Sequence, residues 1–133
     1  MDDYVSRVDA QIRQYEFVEN MHELPPAFHY FSSQHIAQRT REVFGVESIQ
    51  GVFVAGLTQG RPTSGSYRFL SVGSGDAWLE IEIAQALRDL GYMDFIFECA
   101  EISPAMNQRA ASRIKESGLG RHFLLRQVDI NTW

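Results

Sequence analysis

Cysteine is nearly missing from this 133-residue chain, and Cys99 stands alone, so no intramolecular disulfide can form. Nothing beside Cys99 in sequence would lower its pKa, and its place in an apolar run marks it as a packing residue rather than a nucleophile. No run approaches the roughly 20 apolar residues of a membrane span, and the start, Met-Asp-Asp-Tyr, has neither the basic region nor the apolar core of a signal peptide. A cytoplasmic protein with no membrane partner is the expectation. Lys/Arg clusters are also lacking: 12 basic residues face 17 acidic ones, for a net charge of −5, which leaves no electrostatic footprint for nucleic acid. A small or neutral partner is easier to accommodate. His22, His29, His35 and His122 fit neither His-Glu-x-x-His nor a zinc-finger spacing, so no metal site is expected. As lone histidines they read as structural or solvated, although His29 or His35 has the chemistry of a general base. No Ser/His/Asp or Cys/His set is recognisable, and the catalytic residues stay unassigned.

What is present is a folded-protein composition, 44% hydrophobic, arranged in two halves. Residues 1–65 read as a helical cap. Val5, Val8, Ile12 and Tyr15 recur at helical spacing, and the helix they form ends before Leu24-Pro25-Pro26. A second helix is expected from Pro26 to Val43-Phe44, stopped by Gly45, with Phe28, Tyr30, Phe31 and Ile36 forming a dense aromatic side. These aromatics either pack the helices together, the commoner use of such a stripe, or with Tyr15 line an acceptor pocket. The spacing from Ile49 to Leu57 permits a helix, while Gly-Val-Phe-Val could form a strand; helix is the reading taken. Gly60-Arg-Pro-Thr-Ser-Gly-Ser66 is a turn-rich connector.

Residues 66–133 alternate strand and helix patterns, which predicts an α/β domain with a parallel sheet. Phe69-Leu-Ser-Val-Gly-Ser-Gly-Asp76 is an apolar strand ending in a Gly-x-Gly turn and opening into a helix from about Ala77 to Leu90, an arrangement that brings backbone and helix N-terminus to a bound nucleotide. Trp78 stands where a dinucleotide fold wants Gly or Ala, and the Gly-Lys-Ser/Thr ending of a P-loop is absent. Dinucleotide and triphosphate binding are both disfavoured. A second strand, Phe95 to Ala100, delivers Glu101 to its carboxyl end, where it can accept hydrogen bonds from a ribose diol; Ser103 caps the next helix and Pro104 takes its first position. A third strand, Phe123 to Val128, ends at Asp129 in the same fashion. Glu80 and Glu82 read as a solvated face or as ion-pair partners.

In order and spacing, Leu70-Ser-Val-Gly-Ser-Gly-Asp76, Ala100-Glu-Ile-Ser-Pro-Ala-Met-Asn-Gln-Arg-Ala110 and Gln127-Val-Asp-Ile130 resemble the first three motifs of class I S-adenosylmethionine-dependent methyltransferases. The resemblance covers roughly residues 66–133 and implies a Rossmann-like sheet, of which the first three strands are present, with S-adenosylmethionine as cofactor. It implies that Ser71, Gly73, Ser74, Gly75 and Asp76 meet the methionine side, that Glu101 holds the ribose hydroxyls, that Ile102 packs on adenine, and that Asp129 and the Ile130 backbone contact its edge. Two positions depart from the family pattern. Ser71 replaces an acidic residue that offers its charge to the cofactor's amino group, and Ala77 replaces a third glycine. Asp76 either supplies the missing charge or only favours the helix N-terminus through its dipole.

Resembling enzymes continue through four more strands, so the sequence reads as an N-terminal portion of a methyltransferase of a small-molecule acceptor, inactive by itself. The rival reading is a noncatalytic cofactor-binding or assembly subunit on the same scaffold. With the first strand left as an edge, self-association through that edge or through the N-terminal helices is expected.

Overall fold

The computed structural model describes residues 2–16 and 25–132. Helix α1 spans Asp2–Glu16. The expected helix from Pro26 to Phe44 is present, but as α2 (Pro26–Phe31), a π-helical turn (Ser32–Ile36) and α3 (Ala37–Phe44), closed by Gly45. Ile49–Thr58 is a helix, α4, as read, and Ser48 caps it by accepting the Gly51 N–H at 3.0 Å. There follow β1 (Tyr67–Val72), α5 (Trp78–Asp89), β2 (Phe95–Glu101), α6 (Pro104–Ser117) and β3 (Phe123–Gln127). The Ser103 hydroxyl and Pro104 start α6 as their chemistry demands.

The three strands form a parallel sheet in the order β1-β2-β3, with Tyr67 opposite Phe95, Val72 opposite Ala100 and Phe97 opposite Phe123. The fold is the expected α/β, Rossmann-like one. Side chains alternate across a strand, so Phe69, Phe95, Phe97, Cys99 and Phe123 share one face. That face packs on Ile83, Ala84 and Leu87 of α5 and on Ala110 and Ile114 of α6. Phe97 meets Phe95 edge-on at 6.0 Å and stacks on Phe123 at 5.8 Å. The opposite face carries Leu70 and Val72, 54% and 51% exposed, and Glu98 held between Arg68 and Arg126. Helix α4 lies against α5, and α1 lies on α6.

Two expectations about side chains are corrected here. Phe28, Tyr30 and Phe31 do not pack the helices together: they are 48%, 69% and 54% exposed, and in the whole stretch from Pro26 to Phe44 the buried residue is Thr40. The stripe has the period of a helix face, but among the described residues nothing covers Phe28, Tyr30 and Phe31. Glu80 is not on a solvated face; it is buried, while Glu82 one turn-edge away is exposed. His122 is also buried, with its ring 4.1 Å from the Phe95 ring and Nδ1 3.0 Å from the Phe95 carbonyl oxygen. His22 lies outside the described residues. Among the described residues, no helix is long and apolar enough to cross a membrane.

Phe95 is 2% exposed and joins the sheet, both covering helices and His122. Replacing it with Ala removes a large ring from a packed site, and the expected loss is about 3–5 kcal/mol of folding free energy. Urea denaturation followed by circular dichroism checks this, and a midpoint matching the parent chain refutes it.

Candidate functional site

The site is built where the three strands end. After β1 the chain turns through Gly73 and Gly75 at φ +68° and +57°, a conformation that costs most side chains energy and costs glycine little. A Cβ built at either glycine meets no atom within 4 Å, so both present bare backbone to open space. Ala77 also holds a left-handed φ of 58°, at the position where the resemblance called for a third glycine.

Glu101, at the end of β2, ties this turn to the rest. Its Oε2 accepts the Gly75 N–H at 3.0 Å and its Oε1 accepts the Ser103 N–H at 2.8 Å. Its backbone carbonyl accepts the Val128 N–H at 3.1 Å and the Asn107 side-chain amide at 2.9 Å. A carboxylate offers about four lone-pair sites, so the two bonds to Glu101 leave acceptor capacity toward a ligand.

A cavity of about 520 Å³ opens above these strand ends. Its floor is Val72, Gly73, Gly75, Ala100, Glu101, Ile102 and Met106, and its side is Val128, Asp129, Ile130 and Asn131. Helix α1 closes it with Tyr4, Arg7, Val8, Gln11 and Tyr15. At one end of that helix the Tyr4 hydroxyl donates to Asp129 Oδ2 at 2.6 Å, and Asn131 donates from its amide to both Tyr4 and Asp129 at 2.9 Å. At the other end the Arg109 guanidinium donates to the carbonyls of Tyr15 and Glu16 at 3.4 and 3.3 Å, supplying two of the acceptors that a helix C-terminus leaves open.

Of the residues singled out in sequence, Gly73, Gly75, Glu101, Ile102, Asp129 and Ile130 all line this one cavity. Ser71, Ser74 and Asp76 sit behind its wall. Ser71 donates to Glu80 Oε1 at 2.5 Å, and the Ser74 hydroxyl is buried without a hydrogen-bond partner. Asp76 is 6% exposed, with Arg113 Nε 3.1 Å from its Oδ2 and the Trp78 N–H donating to its Oδ1 at 3.3 Å. Burial, with the charge of Glu80 adding to it, pushes the Cys99 thiol up to about 12, which leaves Cys99 an inert packing group. Among the described residues no cluster of His, Cys, Asp and Glu could hold a metal ion.

The α1 residues and Asn131 carry no motif. Helical spacing marked Val8 and Tyr15 as one apolar face, but the spacing of a helix does not say which surface that face will meet.

No protein-family model matches the chain, and no curated protein does. Among solved structures it is similar to the S-adenosylmethionine-dependent methyltransferase from Thiobacillus denitrificans in complex with S-adenosyl-L-homocysteine, at 20% identity and a TM-score of 0.47, over 83% of this chain and 39% of that one. It is also similar to the apo form of the S-adenosylmethionine-dependent methyltransferase SibL, at 21% identity and a TM-score of 0.44, over 99% of this chain and 43% of that one. The chain therefore spans less than half the length of these two structures.

The contact between α1 and Asp129 has a defined pH window. The Tyr4 hydroxyl bond, together with the Asn131 backbone N–H, holds the Asp129 carboxyl below its ordinary 3.8. The same bond raises Tyr4 above its ordinary 10.0. The stabilisation from Asp129 is complete above 3.8 and is lost as pH falls through its lowered folded value; that from Tyr4 is complete below 10.0 and is lost as pH rises through its raised folded value. Carbon-13 tyrosine resonances are expected to show Tyr4 titrating above 10.0 in the parent chain and returning toward that ordinary value in Asp129→Ala. An unchanged Tyr4 titration in the variant contradicts the contact.

Proposed function

We propose that this chain is the cofactor-binding portion of an S-adenosylmethionine-dependent methyltransferase with a small-molecule acceptor. The observation that carries this reading is the convergence of the glycine turn, Glu101 and Asp129 on one cavity, each at the carboxyl end of its strand. The residues fit the cofactor. The bare backbone of Gly73 and Gly75 gives it close approach, and the spare acceptor capacity of Glu101 suits a ribose diol. Ile102, Met106, Val128 and Ile130 give a planar base an apolar slot whose polar end is Asp129 and Asn131.

Bound there, S-adenosylmethionine supplies an electrophilic methyl group to an acceptor N, O or C atom. The work of the chain is binding, orientation and the exclusion of water, which lower the barrier by fixing the geometry of attack. Glu101 fixes the ribose and, through Gly75, the turn beneath it. Tyr4, Val8 and Gln11 of α1 cover the cavity from solvent, the role expected of a helical cap. A small acceptor of low negative charge suits the net charge of −5 and the lack of a basic cluster.

Isothermal calorimetry with S-adenosylhomocysteine tests the reading. Glu101→Ala removes charge-assisted hydrogen bonds worth about 1.5–3 kcal/mol, so affinity is expected to fall roughly 10- to 150-fold. Glu101 also holds the Gly75 and Ser103 amides, so a thermal melt accompanies the titration to establish that the variant is folded. Unchanged affinity in a folded variant, or tighter binding of NAD by the parent chain, sinks the assignment.

A further inference from the structure

The cavity leaves one large feature of the molecule unused, the apolar stripe of α2 and α3. Phe31, Ile36, Thr40, Val43 and Phe44 line a groove of about 430 Å³, and of these only Thr40 is buried. Helical repeat alone does not bring them together, because in an unbroken α-helix Phe31 stands about a third of a turn away from Val43. The π turn, Ser32–Ile36, takes one residue more and shifts that phase, so Phe31 reaches the groove with Val43 and Phe44. Phe28 lies one turn earlier on the same side. Phe28, Phe31 and Phe44 are each roughly half exposed, and Val43 is 67% exposed. A large aromatic side chain carries about 150–250 Å² of surface, so the three rings leave on the order of 250–400 Å² open, to which Ile36 and Val43 add. One side of a standard interface between two proteins is about 800 Å², of which somewhat more than half is apolar. The stripe has the size of the apolar core of such a side.

Charge selects what covers it. From Pro26 to Ile49 the chain carries two arginines, two glutamates and no other charged residue. Arg39 pairs with Glu42 at 2.9 Å and Arg41 with Glu47 at 2.7 Å, so the segment is neutral and the net charge of −5 lies wholly elsewhere. A nucleic acid or an anionic lipid surface finds no basic excess here. A second copy of this chain, repelled by like charge elsewhere, meets no repulsion on this face.

We propose that the face formed by Phe28, Phe31, Ile36, Val43 and Phe44 is where two copies of the chain pair about a two-fold axis. The stripe suits such a contact, because Phe31 and Phe44 at its ends flank a more polar middle of His35, Arg39 and Thr40. Turning one copy end over end sets the Phe31 end of each against the Phe44 end of the other, the self-complementarity that a two-fold contact requires. The pairing buries rings that no described residue covers. It leaves the cavity as it is, since no residue of α2 or α3 lines it.

Sedimentation velocity of the 133-residue chain across a dilution series tests the pairing. The parent chain is expected at twice 15.2 kDa at high concentration and to dissociate on dilution. Phe31→Ser combined with Phe44→Glu is expected to raise the dimer dissociation constant at least about thirtyfold, the loss that follows removal of a central aromatic anchor. Its thermal melt is expected to match the parent's, because both side chains are exposed, and Val43→Glu serves where the combined variant melts early. Leu70→Lys, on the exposed face of the edge strand, is expected to leave the constant within about twofold. A parent chain that stays at 15.2 kDa throughout, or a folded helix variant that pairs as the parent does, overturns the proposal. Dissociation by Leu70→Lys overturns it by moving the contact to the sheet edge. A monomer that floats with vesicles of zwitterionic phosphatidylcholine overturns it by giving the face to a lipid surface.

Discussion

Everything at the strand ends depends on where Glu101 sits. Its carboxylate joins the turn after β1 to the start of α6, and its carbonyl takes the first amide beyond β3. These three backbone segments would otherwise carry unpaired N–H groups in a largely buried place, and satisfying them through one residue fixes their spacing. Glu101 is only 9% exposed, so its charge is held by amide dipoles rather than by water. The consequence is preorganisation: the glycine backbone, an acceptor and the rim after β3 are already in position before any ligand arrives.

How much of this could be read from the chain follows from the range of each interaction. The Gly-x-Gly turn, the cap at Ser103 with Pro104, and the acidic residue at the end of β2 are local, because each is fixed by neighbours within a few positions. The cavity's cover is not. Tyr4 reaches Asp129 across 125 residues, and no local pattern encodes that meeting. Glu80 shows a subtler limit. An acidic residue in the first turn of a helix is favoured wherever it occurs, so its position alone could not distinguish an exposed dipole partner from a buried group facing Ser71. The aromatic residues of α2 differ in the opposite direction, since a helical stripe predicts burial only where an element packs on it, and among the described residues none covers Phe28, Tyr30 or Phe31.

That imbalance extends to the sheet. Parallel sheets are normally covered on both faces, yet α5 and α6 share one face and the other exposes Leu70, Val72 and Leu124. β1 is an edge in this three-stranded order, with one side of its backbone unpaired within the sheet. Some protection is built in. Glu98, its carboxyl held below the usual range chiefly by Arg126 and then by Arg68, pairs with the exposed Arg68 of the edge strand itself, and a charge on an edge strand discourages casual strand addition.

The two walls of the cavity differ in kind. Its floor is made by the ends of β1 and β2 and the start of α6, elements whose residues Phe69, Cys99 and Ala110 pack in the core with Phe95 and Leu87. Its cover does not join that core, because none of the residues from 3 to 16 is fully buried and α1 is tied down at its ends by a hydrogen-bonded ring around Tyr4 and by Arg109. Local opening costs least where few apolar contacts must be broken, so α1 can lift while the strand ends keep their geometry. A ligand filling the space between them would add the missing apolar contact to Val8 and Tyr15 and so hold the cover down. In the cofactor reading proposed above, Glu101 sets the shape that is recognised and α1 sets how long the ligand stays enclosed.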